Sequence, residues 1–509
     1  VIAQSLLFLF WQALGICLGL PFKKRLPVSF LALSGFLWGA LAWALLGLFY
    51  LGLGLPYNLI SMLGGLSALC AAILISLFRR RITWNAADLG WIGGSLSLSG
   101  LLTLTLSQFN ASIVSPDSLI MIMNGRAFIA NGFAPELMSE LSLRGVFLPL
   151  LQSASKMIGI DYLWALQPVF TLNLLALFVY AGLRMLRPYA EGGAPTALRP
   201  NRVGAVLVGL GALAVCATTY LVFQSVYIHN NLPSALYWLG ALVCLWLSGR
   251  ENNPFWIIPA AAALLAFSLL RAEAPLFALA LLAVFLNTTQ LSARFLRRAL
   301  YPMLAITAAW YLYLLVHIGQ GSFVLDPLKI GLILACLLGF GLLLTILDTG
   351  WMQKWLVPHL SEMILILILL GGGALYLWDP QTMHNSTRVL WINMLETGLW
   401  GPAWVLLLFL FGLALTRPAF YNARLFNNSL LIFFCALWVL SSRNQVFQLD
   451  WGDSANRMLT HIYPACWLYL AVLFGQPIQQ NKQPNANRFW LGLFCLVLLA
   501  WVLLALSGK

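Results

Sequence analysis

Charge is what this sequence has least of. Asp, Glu, Lys and Arg together make up 8% of its 509 residues, against about 25% in soluble domains, whose surfaces need them. Fifteen acids and 28 basic residues could not cover a globule of this size, which excludes a soluble enzyme. Disordered chains, coiled coils and solenoids fall with it. The net charge of +13 does not mark a nucleic-acid binder either, because the basic residues sit in short clusters between apolar runs.

Cysteine is sparse and scattered. The eight cysteines each stand in an apolar stretch with no CxxC, so they are expected to be reduced small hydrophobes, with no disulfide framework and no zinc site. The chain has no GxxxxGK[ST], no GxSxG and no HExxH, which removes the P-loop ATPase, nucleophile-elbow and zincin readings. No repeat, low-complexity tract or soluble domain is present.

Apolar residues are abundant: 61% of the chain, with mean hydropathy +0.89. A spanning helix needs roughly 20 apolar residues. By that measure the chain reads as an all-α polytopic bundle of about sixteen spans, from 1–20 to 489–507. The run Val1 to Leu20 precedes Lys23-Lys24-Arg25. A signal peptide has the opposite order, so this run is expected to be a spanning helix.

Alternate loops carry Lys23-Lys24-Arg25, Arg79-Arg80-Arg81, Arg184 to Arg202, Arg250, Arg294 to Arg298, Lys354, Arg417 with Arg424, and Lys482 with Arg488, which is nineteen of the 28 basic residues. The positive-inside rule makes that side cytoplasmic. Ten of the fifteen acids fall on the other side, in longer loops that mix acids, arginines, amides and aromatics.

Three outer segments stand out: 107–161, 379–401 and 443–461. In the first, Ser115-Pro116-Asp117 reads as a capped helix start with proline at the first helical position. Asn131-Gly132 ends that helix, and a second runs from Pro135-Glu136 to about Gly145; both read as helices on the membrane surface. The chain divides into N-terminal spans at 1–89, a core at 90–475 and a last span at 476–509.

Asp117 can face a cavity and accept a proton from a hydroxyl, or simply complement the dipole of its helix. Arg271-Ala272-Glu273 leaves two charges in a minimal turn, where ionisable groups usually face a cavity; the plainer alternative is snorkelling to headgroups. Arg457, with His461 one turn later, can bind a lipid phosphate or serve as an interfacial anchor. His229 reads as an interfacial polar residue rather than a ligand.

The order of these features resembles the GT-C superfamily of integral-membrane glycosyltransferases, nearest to its protein-mannosyltransferase and aminoarabinose-transferase branch. The resemblance is carried by Ser115-Pro116-Asp117, Asn124-Gly125-Arg126, Asn131-Gly132, Gly145 to Leu151, Arg271-Ala272-Glu273 and Gly452 to Arg457, and covers about residues 90 to 475. It implies a sugar donated by a polyprenyl phosphate to a glycan, lipid or protein acceptor, with inversion and with Asp117 as base. Asn124, Arg126, Arg271, Glu273, Arg443, Asp453, Arg457 and His461 are then the candidate substrate-binding residues. No cofactor is expected, although a divalent metal is left open. The setting implied is a bacterial inner membrane with the site facing the periplasm. The sequence departs from the branch in having Ser118 instead of a second acid, and about four spans before the loop. Two other classes stay open: a flippase or transporter for a lipid-linked saccharide, and a non-catalytic membrane scaffold subunit.

Overall fold

The computed structural model describes residues 1–79, 83–187, 202–289, 291–317, 326–415, 417, 423–442 and 448–476. Among them there is no β-strand, only one isolated bridge between Ile113 and Tyr227. The helices are α1 (Ile2–Gly19), α2 (Val28–Leu33), α3 (Gly35–Gly52), α4 (Leu59–Arg79), α5 (Ala86–Gln108), α6 (Pro116–Asn131) and α7 (Pro135–Arg144). There follow α8 (Phe147–Met157), α9 (Leu166–Met185), α10 (Arg202–Ala217), α11 (Thr219–Gln224), α12 (Asn231–Arg250), α13 (Ile257–Ser268) and α14 (Ala274–Thr288). The last seven are α15 (Ala293–His317), α16 (Pro327–Ile346), α17 (Leu360–Trp378), α18 (Pro380–Ile392), α19 (Ala403–Ala414), α20 (Arg424–Ser441) and α21 (Ser454–Gly475).

Eleven of the described helices are long and apolar enough to cross a membrane: α1, α3, α4, α5, α9, α12, α15, α16, α17, α20 and α21. The protein is therefore an all-helical integral membrane protein. Four shorter apolar helices, α10, α13, α14 and α19, fall where further spans were expected. The expected last span at 489–507 lies outside the described residues. The run at 28–53 is broken at Ser34, whose hydroxyl donates to the Phe30 carbonyl at 2.7 Å and so competes with continuation of the helix.

Short polar residues set the helix starts. Asn85 and Asp88 form a reciprocal capping box at α5, and Ser115, Asp326 and Asp379 each cap a helix whose first residue is proline. Such caps satisfy amides that have no partner within the helix. Three of the acids read from the sequence as lying on the less basic side, Asp326, Asp379 and Asp453, are helix caps.

One continuous apolar core runs from Leu7 on α1 to Leu473 on α21. The central helices α12 and α21 are buried almost throughout. Peripheral α4, α16 and α17 instead expose residues such as Ile60, Phe78, Leu328 and Leu377, a surface suited to lipid and not to water. Helix α8 is a feature the sequence did not predict: eleven residues, buried from Phe147 to Ser155, and too short to span.

The bundle has two distinct ends. At the start of α9, Gln167 donates to the His229 carbonyl at 2.8 Å; near its finish, Arg184 grips Glu251 through two bonds of 2.6 and 2.9 Å. Since α12 joins His229 to Glu251, α9 and α12 run the same way. The Glu251 end also holds Arg297–Asp348 at 2.8 Å and the basic Lys23–Asp88 pair at 2.7 Å. The His229 end holds the candidate site.

Candidate functional site

The site is assembled where four chain segments meet, beginning with the start of α6. The Ile113 amide donates to the Val226 carbonyl at 2.8 Å, tying the loop before α6 to the loop before α12. Ser115 accepts from the Ser118 amide at 3.3 Å and donates to the Tyr227 hydroxyl at 3.0 Å. With Pro116 setting the first helical dihedral, Asp117 falls in the first turn, beside Tyr227 and His229.

Two arginines take the two oxygens of that carboxylate. Arg144 Nη1 bonds Asp117 Oδ1 at 2.5 Å, and Arg457 Nη1 bonds Oδ2 at 2.8 Å. All three side chains are largely covered, with exposures of 28% for Arg144, 26% for Asp117 and 17% for Arg457. Burial alone would raise the Asp117 carboxyl, but the hydrogen bonds from Arg457 and Arg144 outweigh it and hold the group down to about 2. It is a carboxylate at any physiological pH.

Each arginine is itself positioned. Arg144 ends α7, and its Nε also bonds Glu140 at 3.0 Å. The next residue, Gly145, has φ +75°, and a Cβ there would meet the Leu270 backbone at 2.4 Å; only glycine fits both conditions. Asn230 donates to the carbonyls of Arg144 (2.5 Å) and Leu270 (2.8 Å), locking that corner. Arg457 lies in the first turn of α21, which Asp453 caps by accepting from the Asn456 amide at 3.1 Å. Its Nε is buried without a protein partner.

His229 completes the cluster. Its Nε2 lies 3.4 Å from Arg457 Nη1 and 3.9 Å from Asp117 Oδ2, and its ring stacks on Tyr227 at 5.4 Å. Burial, then the charges of Arg457 and Arg271, push its pKa well below the ordinary value, against a smaller opposing pull from Asp117. The ring is therefore neutral, and the contact with Asp117 is not an ion pair. Nε2 facing an arginine donor must accept, which puts the hydrogen on Nδ1, and Nδ1 is buried with no partner.

Arg271 and Glu273 pair with each other at 2.5 Å. Arg271 also donates to Asn231 Oδ1 at 3.2 Å, one residue after the Asn230 bridge. The Arg271–Glu273 turn thus abuts the Asp117 cluster through Asn230 and Asn231. Deeper in the bundle, His461 is buried edge-on to Phe267 and Phe433, with both ring nitrogens unpartnered.

The other candidates take no part in the ion pairs of this cluster. Arg126 is on the surface, 3.8 Å from the exposed Asp161. Asn124 is buried on α6 with its Nδ2 unpartnered, and Gly125 beside it has no room for a Cβ against Pro149 and Ser153 of α8, so Gly125 serves helix packing. Burial raises the pKa of Asp453, whose contact is the cap. Arg443 lies outside the described residues.

Sequence reasoning did not select Arg144, His229, Tyr227, Asn230 or Asn231. Only the Arg144-Gly145 helix end carried any signal, as a basic residue followed by a glycine stop. Among the described residues, no group of three His, Cys, Asp or Glu is placed to hold a metal ion.

The arrangement supplies an ionised acceptor, two arginines on it, a third nearby, and unused donors at Arg457 Nε and His229 Nδ1. Three arginines meet three carboxylates (Asp117, Glu140 and Glu273), so an incoming anion must compete with a carboxylate already present. Comparison with protein-family models, curated proteins and solved structures found no match for this chain.

Proposed function

We propose that this chain is a membrane glycosyltransferase, moving a sugar from a polyprenyl-phosphate donor to a hydroxyl acceptor at the outer end of the bundle. The observation that carries the reading is the direct bond between Asp117 and Arg457, with an unpartnered donor on that arginine. In this reading α10, α13, α14 and α19 also cross the membrane, giving fifteen spans among the described residues toward the about sixteen expected. The basic ends face the cytoplasm of a bacterial inner membrane and the Asp117 cluster faces the periplasm.

The chemistry follows from the charges. A departing polyprenyl phosphate gains negative charge as the glycosidic bond breaks, and fixed arginines stabilise that charge in a site shielded from water. Arg457 first meets the phosphate through Nε while Nη1 still faces Asp117, as its planar fork of donors allows, and then turns fully to the phosphate. Held near 2, Asp117 is a poor proton acceptor. When the donor's phosphate draws Arg457 away, the carboxylate loses one of its two counter-charges and becomes more basic. Asp117 then orients and deprotonates the acceptor hydroxyl on the face of the sugar opposite the leaving phosphate, which inverts the anomeric carbon.

A second reading has one specific observation in its favour. A carboxylate clamped by two arginines also fastens α6, α7 and α21 together, as a scaffold subunit would require. The buried, unused nitrogens of Arg457 and His229 favour the ligand-binding reading, because buried donors normally find partners. The test is transfer in proteoliposomes from a panel of polyprenyl-phosphate sugars, comparing wild type with Arg457→Ala. Transfer from at least one donor, lost in the variant, supports the enzyme; equal product from both overturns the role of Arg457.

A further inference from the structure

The end of the bundle opposite Asp117 contains a cavity of about 360 Å³ between the ends of α9, α12, α14 and α21 and the start of α20. Its lining is divided in character. Arg250, Arg424 and Asn287 contribute polar groups, and Trp246, Phe285 and Leu473 contribute apolar surface. Both arginines are exposed. The volume falls in the range of small-molecule sites, roughly 300–1,000 Å³.

A larger cavity of about 570 Å³, among α1, α3, α4 and α13, is lined by apolar residues alone. It has nothing to select a headgroup. The smaller one combines two guanidinium groups with apolar walls, at the end where Lys23, Arg184 and Arg297 also lie.

We infer that this cavity binds one anionic glycerophospholipid of the surrounding membrane, its phosphate held by Arg250 and Arg424 and its acyl chains against Trp246, Phe285 and Leu473. Charge complementarity selects the headgroup, since basic pockets between membrane helices at the cytoplasmic side take acidic lipids. The apolar half of the lining selects a lipid over a soluble anion. Asn287, which donates to the Pro358 carbonyl at 2.7 Å and to Glu362 at 3.2 Å, fixes one wall through α17. This site is independent of the transfer reaction proposed above and rests only on the orientation given with it.

The test uses the full chain in detergent, with lipids retained by the protein counted by native mass spectrometry. The wild type is expected to keep one phosphatidylglycerol in preference to phosphatidylcholine. With each surface arginine contributing about fivefold toward an anionic headgroup, Arg250→Ala with Arg424→Ala should weaken retention roughly 25-fold. The control Arg294→Ala with Arg298→Ala removes the same charge at the same end and should leave retention unchanged. A second measurement needs no change to the arginines. Brominated phosphatidylglycerol should quench a fluorescence component that Trp246→Phe removes, and brominated phosphatidylcholine should not. Equal quenching by both lipids, equal loss in the control pair, or displacement by glycerol phosphate alone would each overturn the inference.

Discussion

Asp117 and Arg457 stand 340 residues apart in the chain and share a hydrogen bond of 2.8 Å. One is in the first turn of α6 and the other in the first turn of α21. Arg144 occupies the remaining carboxylate oxygen at 2.5 Å, so the chain has built a nearly covered Arg–Asp–Arg bridge at one end of a membrane bundle. Removing one member of such a bridge leaves a poorly compensated charge.

Arg457→Lys keeps the charge and loses the fork. A lysine ammonium can hold Asp117 or a phosphate but cannot present a flat pair of donors to both. Transfer should fall by roughly 10²- to 10³-fold with the protein still folded, as for removal of one donor to developing charge. Kinetics in proteoliposomes, with Tm measured alongside, check this; an unchanged rate would show that the fork geometry is not used.

Gly145→Ala should destabilise the protein by about 1–3 kcal/mol, because alanine at φ +75° is strained and its Cβ would meet the Leu270 backbone. Since Gly145 follows Arg144, the same change should displace that arginine from Asp117. Thermal unfolding in detergent checks the stability. An unaltered Tm would mean that the corner yields easily.

Two groups give the pH dependence, and both act with the same sign. His229 is held neutral in the folded protein well below its ordinary value of 6.5, so the unfolded chain binds the extra proton first. Stability should therefore decline as pH falls below about 6.5, and His229→Gln should flatten that decline. Asp117, lowered from 3.8 to about 2, contributes stability that is fully present above 3.8 and is lost as pH falls toward 2. Tm measured from pH 8 to pH 2 for wild type and His229→Gln distinguishes the two; identical profiles would remove His229 from the account.

Topology is checked by labelling single cysteines at Arg79 and Asn110, at opposite ends of α4 and α5. The two should react from opposite sides of intact vesicles. Reaction from the same side would contradict the placement of the Asp117 cluster at the end of the bundle opposite Arg79.

Much of the fold was legible because the bilayer imposes a simple rule: long apolar runs become helices. The α6 start was legible too, since Ser115-Pro116 and Asn131-Gly132 carry their own cap and stop. Helix α8 was not, because eleven residues are too few to span and its burial depends on neighbours distant in sequence. Arg144 was hidden for a related reason: with Glu140 four residues earlier, it reads as an ordinary surface pair, and its bond to Asp117 is purely tertiary. His229 looked like one polar residue in an aromatic loop, and nothing local announces Arg457 beside it. Arg126 shows the converse, a motif residue that the structure puts on the surface.

The central claim is that Asp117 is the base of a transfer reaction and competes with the donor's phosphate for Arg457. Asp117→Asn tests both parts when turnover and donor affinity are measured side by side on the reconstituted protein. The asparagine keeps the shape and cannot take the proton, so kcat should fall by roughly 10²-fold or more, while the donor Kd stays equal or tightens because Arg457 is released. Full turnover in Asp117→Asn, or loss of donor binding with turnover of bound donor unchanged, would contradict the account.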